Sequence, residues 1–209
     1  MKEFLMHTEH IFSSVTFGKW KRQARDLKRS GDLSHHQALE LIAEANRFKD
    51  WHHVVTEAKL NRISESAFRS GLVVAYDIKD ATENWVPDDS FVDDSRVHLF
   101  CQNDILAWYR RGDEEADEEE KRAIPSDPVE YMEEFEEWYM NVHFFRYVGP
   151  SLPSTPRKVL PLLDERCFFA PMFFWHGGKF IDPWRDLAVN NVLDMSGETE
   201  PNREQVDRT

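Results

Sequence analysis

Glu65, Asp77 and Lys79 come nearest to a catalytic set in this chain. Two carboxylates with a lysine two positions after the second could hold Mg²⁺ and position a water for phosphodiester cleavage, as in a metal-dependent hydrolase or nuclease. The plainer reading is that Asp77 and Lys79 mark the solvated exit of a buried strand. His98 and Cys101 have the His-x-x-Cys spacing of a zinc site, and would need Cys167, His143 or His176 to complete it. A strand is predicted over 96–101, however, and residues three apart on a strand point to opposite faces. His35-His36 and His52-His53 have no cysteine nearby and read as structural or surface histidines. There is no Gly-rich phosphate loop ending in Lys-Ser/Thr, and Gly177-Gly178-Lys179 lacks the surrounding spacing. No Gly-x-Ser-x-Gly nucleophile elbow is present. No cofactor is called for, and the leading expectation is a binding protein rather than an enzyme.

Charge is distributed unevenly. Residues 1–62 hold 11 Lys/Arg against 8 Asp/Glu, and residues 63–209 hold 15 against 31. Such asymmetry suggests different partners for the two parts, or contact between them. Lys19, Arg22, Arg25, Lys28 and Arg29 are the candidate contacts to nucleic acid or an acidic protein. Between Asp113 and Glu137 there are 13 acidic and 2 basic residues in 25 positions, so repulsion predicts a flexible first half. Its later portion interleaves Glu133, Glu134, Glu136 and Glu137 with aromatics, as an amphipathic helix does. Those four carboxylates are the candidate contacts to a basic partner. Otherwise they are a solvated face, a divalent-ion site, or a mimic of a nucleic-acid backbone that would make the protein an inhibitor.

The formal net charge of −13 argues against non-specific attachment of the whole chain to nucleic acid or an anionic membrane. No stretch approaches the ~18 apolar residues of a membrane span, and residues 1–7 hold no apolar run of signal-peptide length. Cys101 and Cys167 make no disulfide framework and read as buried thiols in a reducing cytoplasm. With 13% aromatic residues, the chain has the means to build a core.

The elements that must position these groups follow from periodicity. Phe17, Trp20, Ala24 and Leu27 fall on one face of a helix over 17–29, stopped by Ser30-Gly31. Ser34 and Gln37 form a capping-box pattern ahead of the stripe Ala38, Leu41, Ile42 and Ala45. Asp50 caps a third helix with Trp51, Val54, Val55 and Ala58 facing inward. The period then changes. Gly71–Ile78 is a short β-branched apolar run that predicts a buried strand, and 84–95 is a loop. Asn103 or Asp104 can cap a helix through Leu106, Trp108 and Tyr109. Pro128 opens a helix carrying Met132, Phe135, Trp138 and Tyr139, followed by a strand over 142–148. The run 149–161, with four prolines, is an extended connection. Two apolar runs around Gly177-Gly178 predict a hairpin. Its aromatics (Phe168, Phe169, Phe173, Phe174, Trp175, Phe180, Trp184) should be mostly core, with a pocket beside Arg166, His176, Lys179 and Arg185 as the alternative.

The expected fold is therefore α+β: a basic three-helix module over 1–62, an acidic mixed domain with a small antiparallel sheet over 63–195, and a disordered tail over 196–209. Leu33-Ser34-His35-His36-Gln37-Ala38-Leu39, with Phe48-Lys49-Asp50-Trp51, carries a family likeness. It resembles the pattern Leu-Ser-His-x-Gln-Ala-Leu then Gly-Phe-x-x-Trp of the glyoxalase-superfamily-related helical domain, and proteins carried by plasmids and integrative elements. The likeness spans roughly residues 17–60, and Arg47 stands where the pattern has Gly. It implies a helical module and a mobile-element origin. It does not imply glyoxalase chemistry, since no βαβββ duplication with spaced His and Glu ligands follows. Residues 63–209 resemble no family.

Overall fold

The computed structural model describes residues 10–31 and 33–187; the tail expected over 196–209 lies outside them. Three helices come first: α1 (Ser14–Ser30), α2 (His35–Ala45) and α3 (Trp51–Ser70). Each starts at a polar cap. Ser13 accepts from the Thr16 amide, the Ser34–Gln37 capping box is complete, and Asp50 accepts from the His53 amide. These side chains satisfy amides that the first helical turn leaves without partners. Phe12, Ala43, Phe48 and Val54 form the module's small core, with Phe17, Trp20 and Trp51 packed around it.

Arg47 makes the departure from the Gly pattern visible. It has φ 63°, the left-handed conformation that Gly adopts without steric penalty. The Arg47 amide donates to the Glu44 carbonyl and the Phe48 amide to the Ala43 carbonyl, the paired bonds of a Schellman cap. The helix therefore ends in a left-handed cap with strain in place of a glycine. Arg47→Gly is expected to raise stability by up to about 1 kcal/mol, read as a higher urea midpoint at unchanged slope. A lower midpoint would mean that the Arg47 side chain contributes more than its backbone costs.

The rest of the described chain is a five-stranded antiparallel sheet with helices on its faces, so the α+β class holds. Its strands are β1 (Leu72–Asp77), β2 (Phe91–Asp93), β3 (Val142–Tyr147), β4 (Phe173–His176) and β5 (Lys179–Ile181), in spatial order β2-β3-β1-β4-β5. β1 is central and buried on both faces, which is why it reads as a continuous apolar run. Leu72, Val74 and Tyr76 face one core with Phe145, Phe174, Leu160 and Leu163. Val73 and Ala75 face the other, with Cys101, Ile105, Phe135, Phe144 and Trp175. The two remaining long helices, α5 (His98–Glu115) and α6 (Pro128–Tyr139), cover this second face. The short helices are α4 (Ile78–Asn84), α7 (Leu160–Asp164) and α8 (Pro183–Asp186). Among the described residues, no helix is long and apolar enough to cross a membrane.

Several expectations are corrected. Phe91–Asp93, within the expected loop 84–95, is strand β2, and Asn103 and Asp104 lie inside α5 rather than capping it. Leu41 and Ala45 of the expected stripe are exposed, while Ala43 is buried. Residues 96–101 are helical, not a strand: a 3-10 turn over Ser95–Val97 leads straight into α5. Val97, Cys101 and Ile105 are buried at the four-residue spacing of a helix face. The acidic run is not a loop from Asp113 onward. α5 continues to Glu115, anchored by Tyr131 Oη donating to Asp113 (2.6 Å) and by Arg185 pairing with Glu115 (3.0 Å). The prolines of 149–161 do not keep that run fully extended, since Pro156–Val159 forms a 3-10 turn.

The boundary placed at residue 62 falls inside α3, which runs unbroken to Ser70 and feeds β1 through Gly71. Polar contacts cross the same seam. Asp94, buried at the end of β2, accepts from Ser64 Oγ (2.8 Å), Arg146 Nε (2.9 Å) and the Arg96 amide (3.2 Å). Arg96 in turn reaches Glu57 (2.7 Å) and Asn61 (2.8 Å) on α3. The far end of α3 is held by the β4–β5 hairpin. Gly177 and Gly178 both have positive φ, and a Cβ on Gly178 would lie 2.3 Å from the Arg69 carbonyl oxygen. Only glycine permits both the turn and that approach.

Candidate nucleic-acid interface

α1 and α3 pack side by side and leave a groove of about 630 Å³ between them. Phe17 and Lys21 enter it from α1, at the four-residue spacing of one helix face. Trp51, Val55, Lys59, Arg62, Ser66 and Arg69 enter it from α3, at three- and four-residue intervals. Opposite side chains of α3, including Val54, Asn61 and Ser64, are buried against the module core and the sheet seam. The amphipathic split of α3 thus turns its cations outward into the groove.

Two smaller cavities extend this surface. One of about 220 Å³ is lined by Lys21, Arg25, His35, Leu39 and Trp51. Another of about 460 Å³ includes Lys59, Arg62, Ser66, Ser70, Arg146 and Tyr147. Lys21 and Trp51 line both the groove and the first of these, and Lys59, Arg62, Ser66 and Ser70 both the groove and the second. The three are therefore neighbours, with Arg25, Lys21, Lys59, Arg62, Arg69 and Arg146 among their walls. Arg69 pairs with Glu65 and Arg146 with Asp94. Among the described residues Lys21, Arg25, Lys59 and Arg62 have no carboxylate partner. All four are exposed.

Glu65 stands on the groove wall as a structural group. Its carboxylate accepts from the Ser14 amide (2.8 Å), Ser14 Oγ (3.0 Å) and Arg69 (2.9 Å), fastening the start of α1 to α3. Burial raises its pKa, but these hydrogen bonds outweigh burial and hold the carboxyl below its usual range. Asp77 does something else: it caps α4 by accepting from the Lys79 amide (2.8 Å), at the last position of β1. Neither Asp77 nor Lys79 lines the groove that Glu65 lines. Glu65 therefore fastens α1 to α3, Asp77 caps α4 at the Lys79 amide, and the three candidate catalytic residues do not line one groove.

His98 and Cys101 lie one turn apart on α5 rather than on a strand, and both face the core against Tyr139 and Phe144. Cys167 belongs to the core on the other side of the sheet, His143 pairs with Asp93 (2.8 Å), and His176 bonds the Pro153 carbonyl (2.6 Å). Among the described residues no three His, Cys, Asp or Glu side chains gather as a metal site would require. Burial, with a contribution from nearby His143, lowers the His98 pKa to about 4. A histidine kept neutral when folded, yet charged when unfolded below about pH 6.5, stabilises the fold fully above pH 6.5 and progressively less down to pH 4. Unfolding free energy should therefore fall by about 3 kcal/mol across that window. His98→Phe should flatten the slope; an unchanged slope would place the proton elsewhere.

Of the cations singled out in the sequence, Arg25 lines a cavity, while Lys19, Arg22, Lys28 and Arg29 lie on the exposed remainder of α1. Further cations, Lys21, Lys59, Arg62 and Arg69, line the groove. Their signal was present as Lys59, Arg62, Ser66 and Arg69 at helical intervals, but only a helix carried past residue 62 reveals it. Glu133, Glu134, Glu136 and Glu137 are all exposed on α6, whose Phe135 and Tyr139 are buried. The C-terminal aromatics divide. Phe173, Phe174 and Trp175 are fully buried, whereas Phe168 (68% exposed) and Trp184 (48%) are not. The cations beside them do not share one pocket, since Arg166 pairs with Asp88 and Arg185 with Glu115.

No protein-family model, curated protein or solved structure matches the chain.

Proposed function

We propose that this is a non-enzymatic interaction protein whose helical module binds nucleic acid in the groove between α1 and α3. The observation that carries the reading is that four exposed cations, without carboxylate partners among the described residues, line neighbouring cavities rather than scatter. Phosphate contacts from such residues supply sequence-independent affinity and make it salt-dependent. Glu65 does not oppose this strongly, because Arg69 and Ser14 already engage its charge. The acidic face of α6 is the second surface, for a basic partner. The exposure of Glu133, Glu134, Glu136 and Glu137, none ion-paired among the described residues, favours it. Origin in a bacterial mobile element rests on the Leu-Ser-His-x-Gln-Ala-Leu resemblance, and a cytoplasmic setting on the two unpaired thiols.

Fluorescence anisotropy of labelled oligonucleotides with the full chain, over a salt series, tests the reading. Four phosphate contacts predict that log K falls with log salt at a slope of about −3 on a single strand. Absence of binding at low salt to both single- and double-stranded probes would overturn it.

A further inference from the structure

The groove carries more than charge. Phe17 and Trp51 stack on each other across its wall, with centroids 5.7 Å apart and planes at 15°. Lys21 Nζ sits over the Phe17 ring, 5.3 Å from its centroid, so a cation and an aromatic pair stand together on the groove wall. Trp51 is only half-buried, and it lines both the main groove and the smaller cavity beyond it. The cavity of Arg25 and the groove of Lys59 and Arg62 thus have Trp51 and Lys21 as common walls. Building on the proposed function, we infer that the ligand is single-stranded nucleic acid, with a base stacked on the Trp51–Phe17 pair and phosphates on the flanking cations.

The chemistry separates strands from duplexes. A duplex keeps its bases paired and offers mainly phosphates to a sequence-independent site. A single strand offers unstacked bases as well, and base–aromatic stacking adds to phosphate attraction without demanding a sequence. Cations lining a concave groove beside aromatic rings match the second ligand. Purely electrostatic binding would be served as well by Lys19, Arg22, Lys28 and Arg29, exposed on the remainder of α1.

The test compares three labelled probes of one length on the full chain: a single-stranded deoxyoligonucleotide, its duplex, and a strand with abasic sites in place of most nucleotides. The single strand should bind about tenfold or more tighter than the abasic strand at equal salt, and tighter than the duplex. A ribose strand in parallel separates RNA from DNA as the natural ligand; either supports the inference provided it binds more tightly than its own duplex. Trp51→Leu should remove most of the preference over the abasic strand, and Trp51→Phe should keep much of it. Because the abasic comparison uses the unaltered protein, poor folding of a Trp51 variant does not blunt it. Equal affinity for all three probes would overturn the stacking inference while leaving the phosphate groove standing. No binding to any of them would overturn both.

Discussion

Changing Lys59 and Arg62 together to glutamate is expected to weaken nucleic-acid binding roughly hundredfold. Each substitution removes one attraction and adds one repulsion. Four exposed charge changes at about 0.7 kcal/mol apiece amount to about 3 kcal/mol, or two decades of affinity. The salt slope should shrink from about −3 to about −1.4 as two phosphate contacts disappear. Both side chains are exposed and lack carboxylate partners among the described residues, so thermal stability should hardly change. Reversing Lys121 and Arg122, exposed in the 3-10 turn Glu120–Ala123 and lining none of the three cavities, alters the net charge equally but away from the groove. That variant should lose no more than a few-fold, because charges beyond about 8 Å are largely screened at physiological salt. If both double reversals weaken binding alike, total charge governs the interaction and the groove has no special part in it.

Asp94→Ala should be the most damaging single change to the fold, lowering stability by about 4 kcal/mol. The carboxylate is 8% exposed and gathers three donors from three segments: Ser64 on α3, Arg146 on β3 and the backbone of Arg96. Its removal leaves a guanidinium and a buried hydroxyl without an acceptor at the seam between helix and sheet, and desolvated groups left this way cost more than the bond contributed. In a chain of this length, about 4 kcal/mol should lower the unfolding midpoint by about 10 °C. Asp94→Asn keeps two acceptor lone pairs but not the charge, and should lose about half as much. Asp77→Ala is the comparison. It removes one helix cap at a partly exposed position, worth about 1 kcal/mol. If Asp94→Ala proved as mild as Asp77→Ala in urea denaturation, the seam would not be held by this charge. The same seam supports the groove, because Ser64 and Asn61 fix the buried side of the helix whose other side carries Lys59 and Arg62.

Local signals were legible where one or two residues decide the structure. Ser34 with Gln37 and Asp50 cap the helices expected of them, Pro128 opens its helix, and Gly177-Gly178 turns the expected hairpin. β1 was legible because a strand covered on both faces has to be apolar throughout. Residues 96–101 were not, since a short run mixing Val, His, Leu, Phe and Cys suits a strand and a buried helix equally. What decides it is packing: Val97, Cys101 and Ile105 meet Phe135 and Phe144 across the interface with the sheet. Asp113–Glu115 stay helical through contacts to Tyr131 and Arg185, distant partners that local charge repulsion does not reveal. The groove was hidden for a related reason. It needs two helices side by side, and one of them extends eight residues past the point where the charge pattern of the sequence changes.

Ultraviolet cross-linking of a single-stranded oligonucleotide to the full chain, with the attached peptides mapped by mass spectrometry, tests the central claim most directly. Adducts are expected on Phe17, Trp51 and the peptide carrying Lys59 and Arg62, and they should be lost when Lys59 and Arg62 are reversed. Adducts confined to the outer face of α1, or to the sheet domain, would contradict a nucleic-acid site between α1 and α3.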